Sequence, residues 1–192
     1  ADGDCATWTC AGGYTGDACN TSCAVANATA YSSGCTVSAC ADGYAPTSDG
    51  SACELACVVT DSTLSGHVNA CLASNAAGDC SVTIDGRTCH IGDWNTSSVT
   101  DMSGLFAFKS DFNEDISGWD VSNCTSFNAA FTGTSMSQAN YDALLVAWAA
   151  QSVQNNVVFS TPAQYTAGGA AETARNTLIN TYSWTIIDGG SN

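Results

Sequence analysis

The sequence feature that most constrains the fold is an internal repeat within residues 91–131. The segment IGDWNTSSVTDMSGLF, which begins at Ile91, aligns with ISGWDVSNCTSFNAAF, which begins at Ile116, at an offset of 25 residues. A period of about 25 residues is typical of solenoid proteins, in which each repeat buries its apolar side against the next. We therefore predict a short solenoid. Its predicted core positions are Ile91, Trp94, Val99, Met102 and Phe106 in the first copy and Ile116, Trp119, Phe127 and Phe131 in the second.

The charge of the chain is low and one-sided. Charged residues make up 11% of the 192 residues, against about 25% in typical domains. The chain has eighteen acidic residues and only three basic ones, Arg87, Lys109 and Arg175, which gives a net charge of −15. This balance excludes a basic surface for phosphates or anionic lipids, so we expect no nucleic-acid partner. The acidity is interpreted as keeping the surface soluble, with divalent cations or a cationic partner as the alternative.

Twelve cysteines indicate either disulfides or bound metal. C-x2-C spacing is absent, and only His67 and His90 could supplement the cysteines, so we do not expect zinc. Cys71–Cys80 is the simplest bridge in the second half, whereas Cys124, at the position of Val99 in the second copy, is either paired or a buried free thiol. The cysteines predicted to form disulfides in an oxidising compartment are Cys5, Cys10, Cys19, Cys23, Cys35, Cys40, Cys53, Cys57, Cys71, Cys80, Cys89 and Cys124.

Four N-glycosylation sequons agree with an extracellular location; they begin at Asn20, Asn27, Asn95 and Asn123. No apolar run approaches the roughly 20 residues that a membrane-spanning helix needs, so we expect no direct membrane insertion. Together with the cysteines, these features predict a secreted glycoprotein that is extracellular or located at a cell surface.

Residues 1–57 contain eight of the cysteines in two four-cysteine repeats, each reading C-x4-C-x2-G-Y and then C-x3-C. A segment this short has little core, so we predict turns and short hairpins held by disulfides, with little regular structure. The C-x2-G-Y…C pattern resembles the C-terminal half of epidermal-growth-factor-like modules, which implies an extracellular spacer. We therefore divide the chain into a disulfide-rich arm, 1–57, and a second domain, 58–192.

The flanks of the repeat predict caps. Helical spacing of apolar residues predicts a helix at Leu64–Ser74 with Ser62 or Thr63 as N-cap, followed by a short strand at Ser81–Ile84. After the repeat, Ser137 is the predicted N-cap of an amphipathic helix. The remaining predicted elements are a strand at 157–159, a helix at 170–180 and a strand at 184–187.

Residues 94–106 and 112–123 resemble the BspA-type leucine-rich repeat of bacterial and microbial-eukaryote surface proteins. The shared pattern is W-[DN]-x-S-x-V-T-D-M-x-x-[LM]-F, from which the second copy departs at Cys124, Ser126 and Phe127. With the caps, the resemblance covers about residues 64–190. It implies a mixed α/β fold, a short leucine-rich-repeat solenoid with helical and strand caps.

No catalytic motif accompanies this architecture: G-x-S-x-G, the P-loop, H-E-x-x-H and G-x-G-x-x-G are all absent. We therefore expect no enzyme and no cofactor. Asp111, Glu114 and Asp115 cluster between the copies and are weak candidates for calcium ligands. Trp94 and Trp119 are interpreted as core residues, with an exposed pair that stacks on sugars as the alternative.

Two functions are compatible with these features. The first is a non-enzymatic structural protein of a cell surface that packs into a filament, layer or matrix. Its partners would be copies of itself or other surface proteins. The second is an adhesion or ligand-binding module that uses one solenoid face to bind a glycan or a matrix protein. We expect the first; a secreted hydrolase has no supporting motif.

Overall fold

The computed structural model describes residues 57–192 and, before them, only 9–10, 14–15, 28–31, 37–40, 44–46 and 53–55. The chain divides into two compact units, Ala1–Ala56 and Cys57–Asn192. Cys57, which we had placed in the arm, belongs to the second unit, because its side chain is bonded to Cys89.

The described residues of the first unit form short antiparallel strand pairs. Residues 9–10 pair with 14–15, residues 28–31 with 37–40, and residues 44–46 with 53–55; Tyr14 and Tyr44 of the two Gly-Tyr motifs each begin a strand. Short hairpins of this kind were predicted. The strands are β1 Thr9–Cys10, β2 Tyr14–Thr15, β3 Ala28–Tyr31, β4 Val37–Cys40, β5 Tyr44–Pro46 and β6 Cys53–Leu55.

The second unit has a mixed α/β fold, as predicted, with three helices and two two-stranded sheets among its described residues. Residues 81–84 pair antiparallel with residues 87–90, and residues 158–160 pair parallel with residues 185–187. None of the described helices has the length and apolar character needed to cross a membrane. The elements are α1 Leu64–Ser74, β7 Ser81–Ile84, β8 Arg87–His90, a 3₁₀ turn Ile91–Asp93, α2 Gln138–Ala149, β9 Val158–Ser160, α3 Ala170–Tyr182 and β10 Thr185–Ile187.

The helices form where apolar spacing predicted them. α1 buries Leu64, Val68, Cys71 and Leu72 on one side. Its N-cap is Thr63, but that hydroxyl bonds back to Thr60 and makes no bond to the helix. α2 begins after Ser137, whose hydroxyl accepts a hydrogen bond from the Asn140 amide at 3.3 Å, as an N-cap should.

The two repeat copies lie against each other in register. The amides of Met102, Gly104, Phe106 and Phe108 each donate to a carbonyl of the second copy at 2.8–2.9 Å. The rings of Trp94 and Trp119 stack with centroids 6.0 Å apart. The corners are closed locally, because carboxylate or amide oxygens accept from the amide two residues later. These pairs are Asn95–Ser97, Asp101–Ser103, Asp115–Ser117 and Asp120–Ser122.

The predicted solenoid is wrong for the described residues. Most repeat positions are turns or irregular backbone. The backbone hydrogen bonds between the copies produce only one isolated β-bridge, Asp101–Ser126, and no continuous strand pairing. The second copy is covered by α2 and β9. The ring of Phe127 packs 5.1 Å from that of Trp148 and 5.9 Å from that of Phe159.

One partly buried ion pair lies at the C-terminal end. Arg175 Nε donates to Asp188 Oδ2 at 2.6 Å, and the Tyr141 hydroxyl donates to the same oxygen at 2.9 Å. The guanidinium also lies 5.0 Å from the ring centre of Tyr165. Burial and the neighbouring Asp188 raise the pKa of Tyr141, so it remains a neutral donor to that carboxylate.

Asp61 lies in the turn that precedes α1, and its hydrogen bonds connect this turn to the first repeat copy. Its carboxylate accepts from the amide and the hydroxyl of Thr100 at 2.8 and 2.7 Å and from the Asp101 amide at 3.1 Å. The Thr100 hydroxyl, followed by these two amides, lowers the pKa of Asp61 below its ordinary value of 3.8. A lowered folded-state pKa means that this contribution to stability is fully present above the unfolded-state pKa. It is lost as pH falls through the folded-state pKa.

We predict that Asp61→Ala lowers the stability at neutral pH by no more than about 1 kcal/mol, since these bonds are exposed. The stability curves of wild type and variant should converge below pH 3.8. Thermal unfolding measured over a pH series tests this, with Asp93→Ala as an exposed control. A constant difference at every pH would contradict it.

Candidate functional site

A surface groove lies between α1 and the loop that follows the first repeat copy. Its volume is about 480 Å³, which is within the range of ligand sites, roughly 300–1,000 Å³. Leu72 and Ala73 of α1, with Ala76 just after the helix, form its apolar wall. The remaining lining residues are Asn69, Phe108, Lys109, Ser110 and Asp111.

Phe108 is the unusual residue of this groove. Its side chain is 81% exposed, the largest exposure among the large hydrophobic residues of the described chain. Its φ is +60°, a left-handed conformation that costs a bulky side chain about 1–2 kcal/mol. The Phe108 amide is held in place by the Thr132 carbonyl at 2.8 Å.

The second repeat copy shows which backbone conformation the fold requires at position 108. At the offset of 25 residues, Phe108 corresponds to Gly133, and Gly133 also has a positive φ, +73°. The fold therefore requires left-handed backbone at this position in both copies. Glycine adopts it without steric cost, whereas phenylalanine does not. Neither core packing nor backbone conformation accounts for an aromatic ring at position 108.

The polar part of the groove carries both charges. Lys109 Nζ donates to the Asn69 side-chain oxygen at 3.1 Å, which ties the loop to α1. Asp111 and Ser110 are exposed in the lining. The groove thus offers ammonium and amide donors beside carboxylate, amide and hydroxyl acceptors.

Sequence reasoning missed this groove, although a signal for it existed. The aligned segments ended at Phe106 and Phe131. Extending the alignment by two residues would have placed an apolar aromatic opposite a glycine. That mismatch is the signal.

The predicted calcium candidates do not come together. Asp111 lines the groove, Asp115 accepts from the Ser117 amide, and Glu114 instead approaches Asp79 and His90. In the described chain, Asp79, His90 and Glu114 each bring one ligand atom within 4.8 Å of the others. Glu114 can approach the turn because residue 78 is glycine; a Cβ there would lie 2.6 Å from that of Glu114.

The hydrogen bonds of His90 do not favour a metal at this cluster. The Gly92 amide donates to His90 Nδ1 at 3.2 Å, so a neutral ring carries its proton on Nε2. Nε2 lies 3.4 Å from the Asp79 carboxylate. A metal at Nε2 would require the proton on Nδ1, where the Gly92 N–H already points. The cluster is best described as an imidazole N–H in contact with carboxylates.

All nine predicted repeat-core residues are buried, with exposures of 0–2%. Trp94 and Trp119 are therefore core residues, and the alternative of an exposed sugar-stacking pair is wrong. The Trp119 indole N–H donates to the Ile91 carbonyl at 2.8 Å, and that of Trp94 donates to the Cys89 carbonyl at 3.3 Å.

One protein family matches part of this chain. The family described as "Mycoplasma protein of unknown function, DUF285" matches residues 81–167. The match covers less than half of the chain but includes both repeat copies, α2 and the loop side of the groove. No curated protein and no solved structure matches the chain.

The two predicted resemblances are wrong. No leucine-rich-repeat family and no epidermal-growth-factor family matches, and the family that does match is a different one. The BspA-type pattern reflects the Trp, Ser and Val-Thr-Asp positions of the first copy. These residues form local turns and a two-layer core instead of the predicted short solenoid.

The described disulfides correct the predicted pairing. Cys71–Cys80 is present as predicted, but Cys57 pairs with Cys89 and not within the arm. Cys124 is a buried free thiol, so its place among the disulfide cysteines was wrong. It fills the core position that Val99 fills in the first copy. Outside the described side chains lie Cys5, Cys10, Cys19, Cys23, Cys35, Cys40 and Cys53.

We predict that Cys124 resists alkylation in the folded protein. Burial raises the pKa of its thiol to about 11, and its Sγ lies 3.3 Å from the Ser126 carbonyl. The thiolate that reacts is therefore scarce as well as inaccessible. Iodoacetamide labelling followed by mass spectrometry of the peptide should show modification of Cys124 only in denaturant. Rapid labelling without denaturant would contradict this.

Two of the sequons lie in the described chain. Asn123 is exposed, and its Nδ2 donates to the Ser97 carbonyl at 2.8 Å. Asn95 is half-buried, and its side-chain oxygen accepts from Ser97. Asn20 and Asn27 lie outside the described residues.

Proposed function

We propose that this protein is a non-enzymatic extracellular module of a cell surface that binds a glycan or a matrix protein through the Phe108 groove. The single observation that carries this proposal is the exposed ring of Phe108 on left-handed backbone. Residues held in sparsely populated backbone conformations often belong to binding sites, where the strain is part of the function. The two described disulfides support an oxidising, extracellular compartment.

Phe108→Gly separates function from folding. Relief of the left-handed strain, about 1–2 kcal/mol, is offset by the greater backbone entropy of glycine, about 0.5–1 kcal/mol. We expect the free energy of unfolding to change by less than about 1 kcal/mol or to rise. Binding to a panel of immobilised glycans and matrix proteins should fall about tenfold or more, as when an aromatic stacking platform is removed.

The matched control is Val146→Ala, which shortens another exposed apolar side chain, 42% exposed, on α2 and outside the groove lining. It should bind like the wild type. If Phe108→Gly unfolds the protein, the ring has a structural role. If it leaves binding to every member of the panel unchanged, the proposal fails.

A second candidate is self-assembly into a surface layer or filament, and the β9–β10 sheet favours it. Thr185 and Ile187 direct their backbone bonds to the β9 side. The peptide groups of Ile186 therefore face the opposite edge. No described residue pairs with that edge, and exposed Ile187 and Val158 lie on the same face of the sheet. Unpaired edges are templates for another chain. Sedimentation that shows a monomer at high concentration would contradict this candidate.

A further inference from the structure

We infer that the Phe108 groove binds a pyranose unit of an uncharged glycan, an inference that rests on the proposed binding function. It names the class of ligand from the chemistry of the lining. Three properties of the groove carry it: an exposed aromatic face, a mixed set of donors and acceptors, and a local balance of charge.

The ring of Phe108 provides the apolar contact. An aromatic face carries negative charge density, and it attracts the polarised C–H groups that a pyranose presents on one face. The backbone of Phe108 is anchored by the Thr132 carbonyl, and glycine at position 133 leaves the neighbouring side of the ring without a side chain, since a Cβ there would lie 3.5 Å from Phe108 Cδ1. An aromatic side chain has only two rotatable bonds, so it loses little conformational entropy when a ligand stacks on it.

The polar residues suit hydroxyl groups. A sugar hydroxyl both donates and accepts, so it needs donors and acceptors side by side. After its bond to Asn69, the Lys109 ammonium has two further N–H groups, and the Asn69 amide nitrogen adds two more. The Asp111 carboxylate and Ser110 hydroxyl supply acceptors across the groove. The hydroxyl groups of a sugar stacked on Phe108 can therefore both donate hydrogen bonds to the groove and accept them from it.

The charges exclude other ligand classes. The lining contains one positive residue, Lys109, and one negative residue, Asp111, so the groove itself favours a ligand without net charge. A phosphorylated or polyanionic ligand would meet the field of a chain with a net charge of −15. A purely apolar ligand would remove both charged groups from water without giving them partners.

The second repeat copy does not duplicate the site. At the offset of 25 residues, Phe108, Lys109 and Asp111 correspond to Gly133, Thr134 and Met136. Both Thr134 and Met136 are buried. The ring and both charges are thus specific to the first copy, which indicates one site in the repeat region.

The test is a binding screen of the full chain against neutral oligosaccharides, sialylated and sulfated oligosaccharides, and matrix proteins, followed by titration calorimetry of any neutral hit. We expect a neutral glycan to bind with an affinity that is independent of salt. Phe108→Gly should weaken it about tenfold or more. Asp111→Ala should weaken it as well, and Val146→Ala, outside the groove, should not.

The outcomes distinguish the inference from the proposed function. If only a matrix protein binds and Phe108→Gly abolishes that binding, the inferred saccharide ligand is wrong but the proposed binding function stands. Binding only to acidic glycans, with a steep salt dependence, also overturns the uncharged ligand. Glycan binding that Phe108→Gly leaves unchanged places the site elsewhere and overturns both, as does a screen without any binding.

Discussion

Trp119→Ala is expected to destabilise the second unit by about 3–5 kcal/mol, the usual cost of truncating a buried tryptophan. The side chain is fully buried, at 0% exposure, between the two repeat layers. Its ring stacks on Trp94 and packs 5.9 Å from Phe106, so its loss opens a cavity at the centre of both copies. Urea unfolding followed by circular dichroism measures the effect.

Two controls separate packing from hydrogen bonding at this position. Trp119→Phe keeps most of the ring but removes the indole N–H that bonds the Ile91 carbonyl, and an unsatisfied buried acceptor costs about 1–3 kcal/mol. Val146→Ala, at a site 42% exposed on α2, should change stability by less than about 0.5 kcal/mol. Equal losses for Trp119→Ala and Val146→Ala would show that Trp119 is not a core residue.

Removal of the Cys57–Cys89 bridge is the second large expected effect. Its cysteines are 32 residues apart, and the loop-entropy relation gives about 3–4 kcal/mol for a loop of that length. The double variant Cys57→Ser with Cys89→Ser avoids a new free thiol. We expect its free energy of unfolding to fall by about that amount, measured in urea under oxidising conditions.

The nested Cys71–Cys80 bridge provides a comparison within the same unit. Its cysteines are only 9 residues apart, so its double serine variant should lose less, about 2–3 kcal/mol. A larger loss for the short loop would contradict the entropic explanation. It would point to packing of the buried sulfur atoms as the main contribution.

Elements with strong local signals could be predicted from the sequence. Both bounds of α1 and the start of α2 follow from apolar spacing and, for α2, from the Ser137 cap. β8 was missed because Arg87–His90 shows no apolar alternation. A signal was present all the same: Asp85-Gly86, both with positive φ, is a two-residue hairpin turn between β7 and β8.

Contacts between distant residues could not be predicted in the same way. The pairing of Cys57 with Cys89 depends on the position of Cys57 beside the first repeat, where Asn95 bonds its carbonyl. Likewise, the groove needs α1 and the 108–111 loop to meet, and the only local sign was the mismatch of Phe108 with Gly133. The predicted short solenoid was wrong because a repeated sequence pattern does not say whether its residues form regular strands or, as in this chain, mainly turns. The aromatic residues of α2 and β9 cover the second copy.

The Cys57–Cys89 bridge also determines how many cysteines remain to pair in the N-terminal part of the chain. Of the twelve cysteines, four are joined in the two described bridges, and Cys124 is buried and free. The seven that remain all precede residue 54, and an odd number of thiols cannot pair completely among themselves. When these 192 residues are oxidised, at least one thiol in that stretch therefore remains free or bonds a cysteine outside these residues.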